Sequence, residues 1–186
     1  MTGLEFFDSF ALLDIELSQK LAGPYHSFSD VLLRLASTLG NGALLWLLLA
    51  LALFFRKKTR WAVVSILIAL ILSFLLVNLS LKPLFDRDRP CFLENWCPKD
   101  PSFPSGHSSS SFAAASAVWF LKDIKLVGLA LLMFFFAASI AYSRVFLGVH
   151  YLSDCLFGIF IGFICGYWAS WLVQFIKANR ADHAAS

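Results

Sequence analysis

The chain has 186 residues, 59% of them hydrophobic, with a mean hydropathy of +0.75 and a formal net charge of +3. A soluble domain is about 45–50% apolar, and 15% charged residues cannot cover a water-facing surface of ordinary size. Composition therefore excludes an ordinary soluble domain and makes lipid the solvent for much of the chain. The length suits one domain, taken as residues 1–186.

The N-terminal stretch "LEFFDSFALLDIELSQKLAG" carries charges at Glu5, Asp8, Asp14, Glu16 and Lys20. On a helix, Phe6, Phe10, Leu13, Leu17 and Leu21 form one apolar stripe. That pattern predicts a helix within residues 1–25 lying in the membrane interface. A sixth crossing is the alternative, which would bury costly charges in lipid. The stretch lacks the basic start and clean apolar core of a signal peptide.

Five uncharged runs follow, at 35–55, 61–81, 103–121, 126–143 and 155–176. Each has about 18 residues or more, enough for a hydrocarbon core of roughly 30 Å. Helix is the state that leaves no backbone group unpaired in lipid. The third run opens on Phe-Pro-Ser-Gly, so its helix is expected to start near Ser105 and to be short. The expected fold is all-α, a polytopic bundle of about five transmembrane helices plus the N-terminal helix.

The basic segments "RKKTR" (56–60), "KDIK" (122–125) and "KANR" (177–180) share one side and make it cytoplasmic by the positive-inside rule. The other side holds the N-terminal segment, the loop 82–104 and the turn near 144–150. Cys91 and Cys97 lie in that outer loop, where they read either as a disulfide or as two free thiols. Zinc spacing is absent. Cys155 and Cys165 read as packing residues of the fifth span.

Counting spans brings Lys82, Arg89, His107, Arg144, His150 and Asp154 to the outer face. Each has a plain reading alone: Lys82 as a snorkelling anchor, His107 as a helix cap, His150 with Asp154 as a structural pair. Together they read as a site, because ionisable groups at that depth are costly unless they line a cavity. Asp154 follows His150 by four residues, so the two share a helix face and the carboxylate can fix the imidazole. Three cations and two helix N-termini suit a phosphate. Asp86, Arg87, Asp88, Glu94 and Lys99 read as solvated loop charges. A magnesium site is disfavoured, since only Asp154 is a well-placed carboxylate. A serine nucleophile is disfavoured too, since "GHSSS" lacks the closing glycine of the elbow. Ser108–Ser111 read as small residues that let helices approach.

Three motifs then resemble the type 2 phosphatidic acid phosphatase superfamily. "KPLFDRDRP" matches K-x6-R-P through Lys82, Arg89 and Pro90. "PSGH" is Pro104 to His107. "SRVFLGVHYLSD" matches S-R-x5-H-x3-D through Ser143, Arg144, His150 and Asp154. The resemblance implies that His150 attacks phosphorus, Asp154 orients it and His107 is the general acid. It implies that Lys82, Arg89, Arg144, Ser105 and the N–H of Gly106 cradle the phosphoryl group, with no metal or other cofactor. The implied protein is a lipid phosphatase or diphosphatase of a bacterial inner membrane, its site facing the periplasm. Undecaprenyl diphosphate, phosphatidylglycerol phosphate and lipid A phosphates are the substrate candidates. A lipid-to-lipid phosphotransferase and a non-catalytic lipid-binding or transport protein are the alternatives. The expected partners are the bilayer and its lipid phosphate, with neither nucleic acid nor a protein.

Overall fold

The computed structural model describes residues 3–23, 28–92 and 97–185, with the backbone alone for 3–8 and 182–185. Every regular element among them is helical: α1 (Gly3–Leu21), α2 (Phe28–Gly40), α3 (Leu44–Phe54), α4 (Arg60–Phe74), α5 (Lys82–Phe85), α6 (Gly106–Trp119), α7 (Val127–Phe146) and α8 (Leu152–Ala185). Four segments are long and apolar enough to cross a membrane: Phe28–Phe54, Lys57–Phe85, Ile124–Phe146 and Leu152–Ala181. The molecule is a polytopic membrane helix bundle.

The expected third crossing is the exception to that length. α6 has 14 residues, about 21 Å of helix, short of a full hydrocarbon core. Its place in the bundle explains the apolar composition. Residues 111–118 are buried without a gap, because α4, α7 and α8 surround α6. In lipid, burial of apolar area gives little drive for helices to associate, so close packing and interhelical hydrogen bonds must do it. Both are present. Gly158, Gly162 and Gly166 lie one turn apart along α8, and a Cβ there would come within 2.6, 2.6 and 2.7 Å of the carbonyls of Ser105, Ser109 and Ala113. Ser116 donates to Gly162 O (3.2 Å), Ser65 to Ala117 O (3.2 Å), and the Trp46 indole to Ser111 Oγ (3.0 Å). The serines of α6 thus do more than stay small.

The first crossing starts at Phe28 rather than 35. Its charges are tolerated because Asp30 is buried and ion-paired to Arg34 one turn on (2.8 Å). This segment breaks at Asn41–Ala43, where Gly42 and Ala43 have φ of 56° and 58°. The second crossing widens to a π-helix over Leu75–Leu81, a rare form that recurs at functional sites.

α1 packs on α7 and α8. Its protein-facing side is polar: Asp14 and Ser18 are buried, whereas Phe10, Leu13, Leu17 and Leu21 are exposed. The expected stripe therefore faces away from the bundle; the side chain of Phe6 lies outside the described residues.

Candidate active site

The site begins with local backbone. Ser105 has extended dihedrals and is the N-cap of α6, its Oγ accepting from Ser108 N (3.4 Å) and from Ser108 Oγ (3.1 Å). The next N–H groups, of Gly106 and His107, are first-turn donors without intrahelical acceptors. Ser105 N donates to Asp154 O (3.0 Å), which stitches the start of α6 to the start of α8.

A cavity of about 570 Å³ opens beside this junction. Lys82, Arg89, Arg144, Gly106, His107 and His150 all line it. Lys82, Arg144 and His150 are 5%, 2% and 1% exposed. Its other wall is apolar, with Leu47 of α3 and Leu70, Ile71 and Phe74 of α4. Leu47, Ile71 and Phe74 are also exposed on the outer, lipid-facing surface. Ser105 departs from expectation: its hydroxyl is spent on the cap and it is absent from the cavity wall. Gly106 is the neighbour that lines it.

Hydrogen bonds fix the imidazoles. His150 Nδ1 lies 3.3 Å from Asp154 Oδ2, which also accepts from Tyr151 N (3.0 Å). His150 Nε2 lies 3.0 Å from Arg89 Nη1. An arginine only donates, so Nε2 is the acceptor and Nδ1 the nitrogen that carries hydrogen. Burial first, then the charges of Arg89, Arg144 and Lys82, hold His150 well below the usual imidazole range. It is neutral, with its lone pair on Nε2. His107 Nε2 is hydrogen-bonded to Asn41 Oδ1 (2.8 Å).

The cations are held in different ways. Arg89 donates to Val149 O (2.9 Å) and Asp100 O (2.7 Å) and pairs with the Asp100 carboxylate (3.0 Å). Lys82 pairs with the other oxygen of the same carboxylate. Arg144 donates to Ser37 Oγ, and its buried Nε has no acceptor among the described residues. Burial pushes the Asp100 carboxyl up, but the hydrogen bond and charge of Lys82 together with Arg89 outweigh it and leave it below the ordinary carboxylate range.

Arg87 corrects the solvated-charge reading. Its guanidinium bridges Asp14 (2.9 Å) and Asp154 (2.6 Å) and lies 3.9 Å from the centroid of Tyr151. Asp86, Asp88 and Lys99 are exposed as expected, and Glu94 lies outside the described residues. Cys91 and Cys97 are joined in a disulfide, with Cα atoms 5.7 Å apart.

With this geometry in view, comparison with known proteins is specific. The profile of the PAP2 superfamily matches residues 58–178. The chain belongs to the PAP2 superfamily. The matched stretch of this PAP2 chain holds all three motifs and stops short of α1, α2 and α3, the elements that bring Asp14, Ser37 and Asn41 to the site. The crystal structure of LpxE from Aquifex aeolicus is 31% identical, with a TM-score of 0.70 over 84% of this chain and 94% of LpxE. A transmembrane PAP2-type phosphatidylglycerolphosphate phosphatase of Bacillus subtilis has the same fold (TM-score 0.70, 24% identity, 92% of this chain and 87% of that one). YbjG of Escherichia coli strain K12, provisionally named an undecaprenyl-diphosphatase, is 42% identical over 111 residues. That match spans 56% of this chain and about half, 54%, of YbjG.

Sequence reasoning missed Asp14, Asn41, Asn78, Arg87 and Asp100. Asn41-Gly42 is a turn dipeptide inside an apolar run, a legible helix break. Asn78 is a lone amide in an apolar span and lines the cavity. The carboxylates and Arg87 carried no local signal, because their partners are 11 to 139 residues away in sequence.

Proposed function

We propose that this PAP2 protein is a metal-independent lipid phosphatase or diphosphatase that works through a phosphohistidine. The observation that carries the reading is the neutral, buried His150, oriented by Asp154, its Nε2 on Arg89 in a cavity that Lys82 and Arg144 also line.

In this scheme the phosphate of the substrate takes the donors of Lys82, Arg89 and Arg144, together with the N–H groups of Gly106 and His107. The unpartnered Nε of Arg144 fits that role. The Arg89 N–H that now meets His150 turns to a phosphoryl oxygen and releases the lone pair. Nε2 forms a bond to phosphorus as the bond to the leaving oxygen breaks, and His107, protonated once the negative charge of the bound phosphate offsets the cations around it, gives that oxygen its proton. Asp154 stabilises the positive charge that develops on the ring. Water, deprotonated by His107, then attacks phosphorus; the N–P bond breaks and inorganic phosphate leaves. Fixed positive groups aimed at the equatorial oxygens supply most of the acceleration.

The substrate is an amphiphile. The polar groups occupy one wall of the cavity, and the other wall is continuous with lipid-facing side chains of α3 and α4, a path for an acyl or polyprenyl tail. The relatives widen the support: one is a phosphatidylglycerolphosphate phosphatase by name, and another is provisionally an undecaprenyl-diphosphatase. The setting inferred is a bacterial inner membrane with the site facing the periplasm.

The test is phosphate release from a polyprenyl diphosphate, a phosphatidylglycerol phosphate and a lipid A phosphate, in detergent with a chelator present. Turnover of at least one, abolished by His150→Ala, is expected. Alkali-stable label from a 32P-substrate should remain on wild type and be missing from His150→Ala. Undiminished turnover in His150→Ala sinks the nucleophile assignment. Loss of turnover in the chelator sinks metal independence. Label passing to a second lipid makes the enzyme a phosphotransferase.

A further inference from the structure

We propose that Arg87, locked in place by Asp14 of α1, is a positioning residue that holds Asp154, and through it His150, in the reactive orientation. This rests on the reading of His150 as nucleophile and adds a device outside the three motifs.

The carboxylate of Asp154 is divided between two tasks. Oδ2 takes His150 Nδ1 and Tyr151 N. Oδ1 takes Arg87 Nη1 at 2.6 Å. Without Arg87 the buried carboxylate, which is 0% exposed, loses its ion pair with the guanidinium and rotates more readily about its Cβ–Cγ bond. That rotation removes the partner that sets the imidazole tautomer.

Arg87 is itself clamped. Its Nη1 also reaches Ser153 Oγ (2.9 Å), Nη2 reaches Asp14 Oδ2 (2.9 Å), and its plane lies over Tyr151. A planar fork can meet two carboxylates in fixed geometry; a lysine at the same place is one point charge.

α1 supplies the anchor for this clamp and for the helix that carries Asp154. Asp14 Oδ1 accepts from Ser153 N (3.0 Å), Asp14 Oδ2 accepts from Ser153 Oγ, and Ser18 Oγ accepts from Leu152 N (2.8 Å). The N–H groups of Leu152 and Ser153 belong to the first turn of α8 and are donors that a helix cannot satisfy internally. A helix some 140 residues away in sequence thus caps α8 and fixes Arg87 with the same carboxylate. That is why a charged residue is buried on the protein-facing side of an otherwise amphipathic segment.

The experiment uses the full chain in detergent with dioctanoyl phosphatidic acid and a short polyprenyl diphosphate as probes. Arg87→Ala, Arg87→Lys, Asp14→Asn and the Arg87→Ala/Asp14→Asn double variant are compared with His150→Ala. Arg87→Ala is expected to lower kcat about 10- to 100-fold, on the scale of losing a carboxylate that orients a metal-bound histidine, with KM changed less than about threefold. Arg87→Lys should fall between it and wild type. Added guanidinium ion in the low millimolar range should restore part of the Arg87→Ala rate, since the Arg87 side chain is 30% exposed and its site can be reached. Asp14→Asn should lower kcat less than Arg87→Ala and add less than about twofold to it, because both act through one carboxylate. A kcat within twofold of wild type in Arg87→Lys and Arg87→Ala, with His150→Ala inactive, overturns the proposal alone. So does a rate loss that guanidinium leaves untouched and that follows a lower thermal midpoint. If Arg87→Ala is not monodisperse, Arg87→Lys decides by the same kcat criterion. Turnover retained in His150→Ala overturns the nucleophile reading and this proposal together.

Discussion

His150 lies at 1% exposure beside three cations, and its neutrality has a consequence for stability. Burial and those charges lower its folded pKa well below its unfolded value of about 6.5. Below that pH the unfolded chain binds a proton that the folded chain refuses, so stability falls as pH drops; above it the contribution is constant. The thermal midpoint in detergent should therefore be flat above about pH 7 and decline below about pH 6.5. His150→Gln should reduce the slope of that decline; an unchanged slope would place the acid sensitivity elsewhere. Asp100 gives a second test. Its carboxylate, 54% exposed, sits on Lys82 and Arg89, where a phosphate would compete with it. Such a half-exposed pair is worth about 0.2–1 kcal/mol. Asp100→Ala should tighten inhibition by inorganic phosphate or orthovanadate about two- to fivefold, measured as an inhibition constant. Weaker inhibition would mean that Asp100 supports the cradle instead of competing for it. Lys82, His107 and Asp154 were legible because each falls in a fixed-spacing motif. Asp100 and Arg87 were not, since an exposed-looking loop charge differs from a site charge only by what the fold puts opposite it.

The helices were legible where the apolar run was the whole signal, as in α4, α7 and α8. They were obscured where a tertiary contact changes the rule. Asp30 hides the start of α2 because its pairing with Arg34 cannot be weighed from hydropathy alone. The shortness of α6 was foreseeable from Pro104 and Ser105, but its complete enclosure was not. That enclosure depends on the glycine row of α8. A Cβ at Gly162 would approach Ser109 O at 2.6 Å and Phe112 Cβ at 2.8 Å, so Gly162→Val must push α6 and α8 apart. Overpacking of this kind costs about 1–3 kcal/mol. The expected result is a lower thermal midpoint in detergent and reduced kcat, since α6 carries His107 and α8 carries Asp154. A variant with wild-type midpoint and rate would show that the two helices can separate without moving the site.

At the scale of the molecule, two ends of the bundle differ in chemistry. One end gathers the basic segments: Arg180 at the far part of α8 lies over Trp61 of α4 (5.4 Å), and Gln174 donates to Phe120 O beyond α6 (3.1 Å). The other end holds the cavity, the disulfide and the contacts of α1 with the start of α8. Lys and Arg near span ends are retained on the cytoplasmic side, so the basic end should face the cytoplasm and the cavity the periplasm. The cations at the cavity do not weaken this bias, because Lys82, Arg87, Arg89 and Arg144 are each engaged within the site. Single cysteines can test it, as Cys91 and Cys97 are bonded and Cys155 and Cys165 are buried. Lys99→Cys sits exposed on the loop beside the cavity, and Lys58→Cys and Lys125→Cys sit exposed at the basic end. In intact cells with a permeable outer membrane, a membrane-impermeant maleimide should label Lys99→Cys at once. It should label Lys58→Cys and Lys125→Cys only after the inner membrane is opened. The reverse pattern would put the cavity in the cytoplasm, and its substrate would then be a lipid phosphate of the inner leaflet.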